Sequence, residues 1–493
     1  MKKLIYSISL FAILVLGTSC NKWLDLQPRD GITRQEFWKT KEDIQAAVAG
    51  IYTSLLAPPP GVGDKSLTEW MFIHGELRAD MLLPTTNSTQ DERNAAEVNI
   101  VSSTSLSSWA AFYRTINYCN TVLDYGPGVK TTDPTLTDAQ LNAYSAEALT
   151  MRAMMYFYLV RIFRDVPLKL TSTAKDVDLQ NLPKSTAAVI LAQIVSDLKK
   201  AEAGAVNTYG NTASDKGRVT KYTINALLAD VYLWMDNYTD CITACNKVIN
   251  SQLYALQNGN GSWYNTVFYN GSSTETIFEF SNKNSVNNVF YNLLIQPKKR
   301  FTTTNYTVTD VFPADDIDPD RFFDIRAGEF FNSGDLGITK WGTENPSYVN
   351  WQAYRISDIM LLKAEALAMT GGGADAIAII NEIRLKRNAV TSSAQILDPL
   401  NPDQDAIVDY ILAERSREFA FEGKRWFDVL RVAKRENYRR LNVLLDMVSR
   451  TVSPLIQQSA ITKYRDVNSH YMPIADAELF ADPLLVQNPF YTK

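Results

Sequence analysis

Apolar residues recur at helical spacing along much of the chain. Between Tyr222 and Met235, the residues Ile224, Leu227, Leu228, Val231 and Met235 share one face. Asp236-Asn237 interrupts the pattern, and Tyr238, Ile242, Cys245, Val248 and Ile249 resume it. Ala226, Ala229 and Ala244 are small enough to let two helices approach closely. This predicts a helix hairpin of about 30 residues, the size of a tetratricopeptide unit. A second hairpin follows. Ile356, Ile359, Met360 and Leu367 mark its first helix, Gly371-Gly372-Gly373 stops it, and Ala376, Ile379, Ile380 and Ile383 mark the second. Ala143–Phe163 pairs with Thr186–Ala203 as a third, and Asp43–Leu56 and Ser107–Tyr125 supply further helices. One hairpin cannot bury its apolar face alone, so such units stack.

Three stretches lack this period: 57–105, 251–353 and 388–404. The middle one is too long for a connection in a compact helical array. It mixes β-like runs such as Thr276–Phe280 with Asn, Gly, Ser and Tyr, and reads as a lobe inserted at about 251–353. The expected fold is mainly α: a scaffold of tetratricopeptide-like hairpins plus an irregular, loop-rich lobe with short strands. Loops held on a rigid frame are where binding usually resides.

The first residues change the picture of where this body works. Lys2 and Lys3, an apolar run from Leu4 to Leu16, and Gly17-Thr18-Ser19-Cys20 form an export signal. The run is only about half the roughly 20 residues needed to span a bilayer. Small residues ending in Cys resemble a bacterial lipobox, which makes 1–19 a leader, Cys20 the lipidated first residue, and 20–493 one mature domain. No later segment is apolar enough to span a membrane. The formal charge is −5, and two lysines leave with the leader, which argues against nucleic acid. Pro297-Lys298-Lys299-Arg300 reads as a solvated loop. Three cysteines remain, an odd number unlike a disulfide framework, and Cys241 and Cys245 read as core residues.

Catalytic signatures are sparse. The chain has two histidines, His74 and His470, and no GxSxG, HExxH, GxGxxG or Walker loop. No catalytic residue, metal or cofactor is expected. Asp315-Asp316-Ile317-Asp318-Pro319-Asp320 lacks the Gly and terminal Glu of an EF-hand and reads as a solvated turn. Glu414, Arg415, Glu418, Glu422, Arg425 and Asp428 read as one alternating-charge helix whose ion pairs brace it beside Trp426 and Phe427. Carboxylate pairs are too common to exclude a glycosidase by themselves.

Several separated motifs resemble one family. Cys20-Asn21-Lys22-Trp23-Leu24-Asp25-Leu26-Gln27-Pro28 looks like the C-x-x-x-L-D-x-x-P start of SusD/RagB lipoproteins. Ala146-Glu147-Ala148, Arg152-Ala153 and the run Tyr156 to Pro167 resemble that family's AEA-x-x-x-RA…FGDVP helix. Tyr354–Ala366, Ile380–Arg384, Glu414–Asp428 and the closing Tyr471-Met472-Pro473-Ile474 with Gln487-Asn488-Pro489 match further motifs in order. Arg164 and Phe490 stand where glycine is usual, which touches local turns only. The resemblance implies a surface-exposed, lipid-anchored outer-membrane protein of Bacteroidetes. It would bind an oligosaccharide and deliver it to a SusC-like TonB-dependent porin. A peptide-binding RagB-like member is the alternative, ahead of a glycoside hydrolase or a protein-only scaffold.

Sugars offer apolar C–H faces and hydroxyl edges, so aromatic rings and polar groups in loops are the candidates. The family's sugar binders draw one aromatic from the early loop and others from the middle lobe. On that pattern the candidates are Trp70, Trp263, Tyr269, Tyr291 and Trp341, with Asn87, Asp91 and Arg93 from the polar loop Thr85–Asn94. Trp109 and Tyr113 lie at helical positions and read as core.

Overall fold

The computed structural model describes residues 37–492 apart from 60–64, 175–177, 282–288, 296–298, 316–323, 343–348, 396 and 398–402. Cys20 with its leader, and Asp316, Asp318 and Asp320, lie outside the described residues. The predicted hairpins are present. The frame begins with α1 (Lys41–Leu56), α2 (Leu67–Glu76), α3 (Gln90–Ala96), α4 (Ala110–Tyr125), α5 (Asp138–Phe163) and α6 (Ala187–Gly204). After the short α7 (Thr212–Gly217) come α8 (Lys221–Trp234) and α9 (Tyr238–Ile249). Across the middle segment lie α10 (Val289–Leu294) and α11 (Ile325–Phe330). Then follow α12 (Ile356–Met369), α13 (Gly373–Lys386), α14 (Gln404–Glu418), α15 (Arg425–Tyr438) and α16 (Leu441–Thr451).

These helices stack in order. α4 packs on α1 and α5, α5 on α6, α6 on α8, α8 on α9, α9 on α12, and α12 on α13 and α14. The ends are set by local chemistry. Thr40 with Asp43 caps α1, and Thr137 with Gln140 caps α5, each as a reciprocal capping box. Gly371, at φ +86°, ends the α12 hairpin arm. Most of α5 is buried all round. Its internal charges are paired accordingly: Arg152 Nε donates to Asp197 at 2.8 Å, tying α5 to α6, and Arg218 Nη2 donates to Glu147 at 2.6 Å.

Two departures from the sequence reading are physical. The stretch 57–105 contains α2, and its apolar residues face inward on every side, so no amphipathic period marks it. The predicted charge helix is two helices, α14 and α15. They are separated by a turn in which Phe421 (φ +61°) and Gly423 (φ +74°) take left-handed conformations. Glu414, Arg415, Glu418, Glu422, Arg425 and Asp428 are all buried.

The middle segment supplies short antiparallel pairs. The strands are β1 (Leu82–Pro84), β2 (Thr276–Phe280), β3 (Phe301–Thr303) and β4 (Trp351–Arg355), with β1 paired to β3 and β2 to β4. β4 runs straight into α12, so Arg355 ends the strand and caps the helix. Arg355 is fully buried and donates to Glu418 at 2.8 Å, Glu422 at 2.7 Å and Glu275 at 3.3 Å. Arg387 joins Glu275 and Glu418, and Lys340 joins Glu422. Arg326 bridges Asp324, Glu414 and Glu418, and Arg384 and Arg417 share Glu414. Lobe and scaffold therefore meet across one buried ionic network.

Candidate functional site

The structure places three of the five proposed rings in the core. Trp70, Trp263 and Trp341 are 1%, 1% and 0% exposed. A ring without free surface offers no face to a sugar. Each is instead an anchor. Trp70 stacks on His74 at 5.5 Å. Trp263 Nε1 donates to Glu275 at 3.4 Å. Trp341 stacks on Phe290 at 4.2 Å and 9°, and its Nε1 donates to the Phe421 carbonyl at 2.9 Å. Trp351 Nε1 donates to the Glu422 carbonyl at 3.3 Å. The turn 419–423 between α14 and α15 is thus the point to which the indoles of Trp341 and Trp351 are fastened.

The other two rings lie at the surface. Tyr269 is 48% exposed, and Tyr291, on α10, is half-buried. Trp109 is buried and Tyr113 donates to the Pro167 carbonyl at 2.6 Å, as helix positions imply.

The polar loop is drawn towards α10. Thr85 N donates to the Arg300 carbonyl at 2.8 Å and Asn87 Nδ2 to the Lys299 carbonyl at 3.3 Å. Arg300 N in turn donates to the Leu293 carbonyl at 2.8 Å. Asn87, Asp91 and Arg93 therefore lie in a loop held against residues 299–300. Their side chains already have partners: Asp91 accepts from Ser105 N and Oγ at 2.8 and 2.6 Å, and Arg93 donates to the Ser88 carbonyl and to Gln90. Lys299 and Arg300, expected in a solvated loop, are instead held by ion pairs. Arg300 Nη1 binds Glu69 at 2.7 Å and also pairs with buried Glu92, while Lys299 Nζ binds Asp335 at 3.2 Å. Two carboxylates within reach of one guanidinium favour that fold over a free loop.

A polar cleft escaped the sequence reading. It encloses about 310 Å³ between residues 306–311 and helices α14 and α16. Tyr306, Arg417, Arg440, Asn442 and Asp446 line it. These residues lie in separate segments of the chain, and no local pattern links them. A wider, mainly apolar groove runs across α1 and α4, with Trp38, Gly50 and Tyr118 in its walls. Among the described residues, no group of three or more His, Cys, Asp or Glu is placed to hold a metal ion. No described helix is long and apolar enough to cross a membrane.

Glu76, at the end of α2, sits beneath the fastening turn. Its Oε1 accepts from Gly423 N at 2.8 Å, while Oε2 is buried without a partner. Burial, outweighing those backbone donors and the nearby Arg425 and Lys340 charges, pushes its carboxyl from 4.5 up to about 8. A raised carboxyl pKa favours the folded state while the group is protonated in it. Stability from this group is therefore complete below pH 4.5 and is lost as pH rises towards 8. Glu76→Gln keeps the acceptor and removes the titration. Urea unfolding across that range should show a flatter pH dependence than the parent.

Comparison with known proteins bears on the whole chain. A profile described as "Starch-binding associating with outer membrane" matches residues 22–233, and the SusD family profile matches 263–491. The chain belongs to the SusD/RagB family. SusD-like protein P38 of Formosa agariphila is 27% identical over 87% of this chain and 91% of that protein. A crystal structure of a SusD superfamily protein from Bacteroides vulgatus superposes with a TM-score of 0.76 at 21% identity. It covers 92% of this chain and 100% of that one. Surface glycan-binding protein A from Bacteroides uniformis superposes with a TM-score of 0.71 at 22% identity, covering 91% and 99%. The mainly helical SusD fold expected from the sequence is the fold observed.

Proposed function

We propose that this SusD-type chain is an outer-membrane lipoprotein, held by lipid at Cys20, that binds an oligosaccharide at the cell surface. It hands the glycan to a SusC-like TonB-dependent transporter and does not cleave it. The observation that carries this reading is the pair of family profiles, which together span nearly all of the chain after the leader. The lipobox-like Leu16–Cys20 supports the anchor.

The ligand face is assigned to the lobe's surface rings, Tyr269 and Tyr291, together with the polar side chains of the early loop. Few exposed rings on an open surface give modest affinity, roughly micromolar to millimolar, or about −8 to −4 kcal/mol. Tethering beside a transporter offsets that through effective concentration. Affinity electrophoresis and calorimetry against a glycan panel test the reading. Binding without product release is expected. Tyr269→Ala and Tyr291→Ala should each weaken it by about 0.5–1.5 kcal/mol while leaving the melting temperature near that of the parent. Binding of no glycan, with or without the transporter, would sink the proposal.

A further inference from the structure

The cleft between residues 306–311 and helices α14 and α16 carries an unmet hydrogen-bonding demand. Arg417 lines it and is 4% exposed. Its Nε donates to Glu414 at 2.9 Å, but among the described residues its buried Nη2 has no partner. A buried guanidinium N–H left unpaired costs free energy that a ligand acceptor recovers. Glu414 is shared, because it also accepts from Arg326 at 2.7 Å and Arg384 at 3.2 Å. The ionic network joining these groups holds six cations (Arg326, Lys340, Arg355, Arg384, Arg387 and Arg417). It holds five carboxylates (Asp324, Glu275, Glu414, Glu418 and Glu422) among the described residues. Among the described residues the network therefore has one cation more than carboxylates, and Arg417 brings it to the cleft.

The rest of the lining fits a polyol. Asn442 and Asp446 are exposed, Tyr306 is half-buried, and Arg440 donates to Asp409 at 2.6 Å on the cleft wall. Donors and acceptors are both present in this lining, as hydroxyl groups require. The volume of about 310 Å³ falls at the small end of ligand pockets, roughly 300–1,000 Å³, which suits one sugar residue rather than a chain.

We propose that this cleft holds the oxyanion of an acidic saccharide, a carboxylate or sulfate group, with Arg417 as its buried contact. The inference rests on the glycan-binding reading and narrows it to charged glycans. Calorimetry on the mature chain with oligogalacturonate, a sulfated galactan oligosaccharide and a neutral gluco-oligosaccharide of equal length tests it. At least one acidic ligand should bind about tenfold tighter than the neutral one. That preference should shrink between about 0.1 M and 1 M salt. Which acidic ligand shows it decides between carboxylate and sulfate. Arg417→Gln and Asn442→Glu should each abolish it. Asn442 is exposed, so its variant decides the question if Arg417→Gln does not fold. Neutral and acidic ligands binding alike, or both variants keeping the preference, overturns this inference and leaves glycan binding intact. Binding of no saccharide overturns both.

Discussion

Arg355→Ala is expected to destabilise the protein by about 3–5 kcal/mol, enough to leave much of it unfolded at moderate temperature. The side chain is fully buried and makes bonds to three carboxylates, the Ser357 hydroxyl and the Glu418 carbonyl. Its removal leaves Glu418 and Glu422 in the interior short of a counter-charge. Arg355→Lys keeps the charge but not the planar fork, so it should recover only part of the loss. Arg439→Ala is the contrast. Arg439 binds Asp405 at 2.6 Å with a side chain 45% exposed, and solvent screens that pair, so its loss should barely move the midpoint. Urea denaturation of the three variants checks the order. A small shift for Arg355→Ala would mean that the buried network contributes far less than its geometry suggests.

The same network explains what sequence could and could not reveal. Hairpins such as α8–α9 were legible because one face of each helix is apolar and a polar break divides them. Helix α2 was not, since burial on all sides erases the period. The tryptophans misled for a related reason. A large ring in a loop-rich segment is as useful for fastening the loop as for holding a sugar, and sequence records only the ring. Trp341 directs its N–H to the Phe421 carbonyl, 80 residues further along the chain, and Trp263 directs its N–H to Glu275 within the lobe. Arg300 likewise looked solvated until Glu69 and Glu92, more than two hundred residues earlier, closed on it. The cleft at Arg417 was the least legible. Its lining comes from residues 306–450, and an unpaired N–H is visible only once every neighbour is placed.

That dependence of surface on frame is sharpest where α2 crosses the turn 419–423. A Cβ on Gly75 would lie 1.8 Å from the Gly423 carbonyl oxygen, and both sides of that contact are backbone. No rotamer change relieves it; either α2 or the turn must move. Gly423 cannot yield easily, because it takes φ +74° and already packs against Phe72 and the Trp351 ring. Gly75→Ala should therefore cost about 3 kcal/mol or more, seen as a lower urea midpoint. The same turn receives the Trp341 and Trp351 N–H groups, so any population that survives should also bind glycan more weakly, through a loosened lobe. Gly50→Ala sets the scale. Gly50 lies inside α1 with nothing within 4 Å of the added carbon, so the same substitution should stabilise by about 0.5–1 kcal/mol. Equal midpoints for the two variants would show that the close approach of α2 to the turn is not a constraint on this fold.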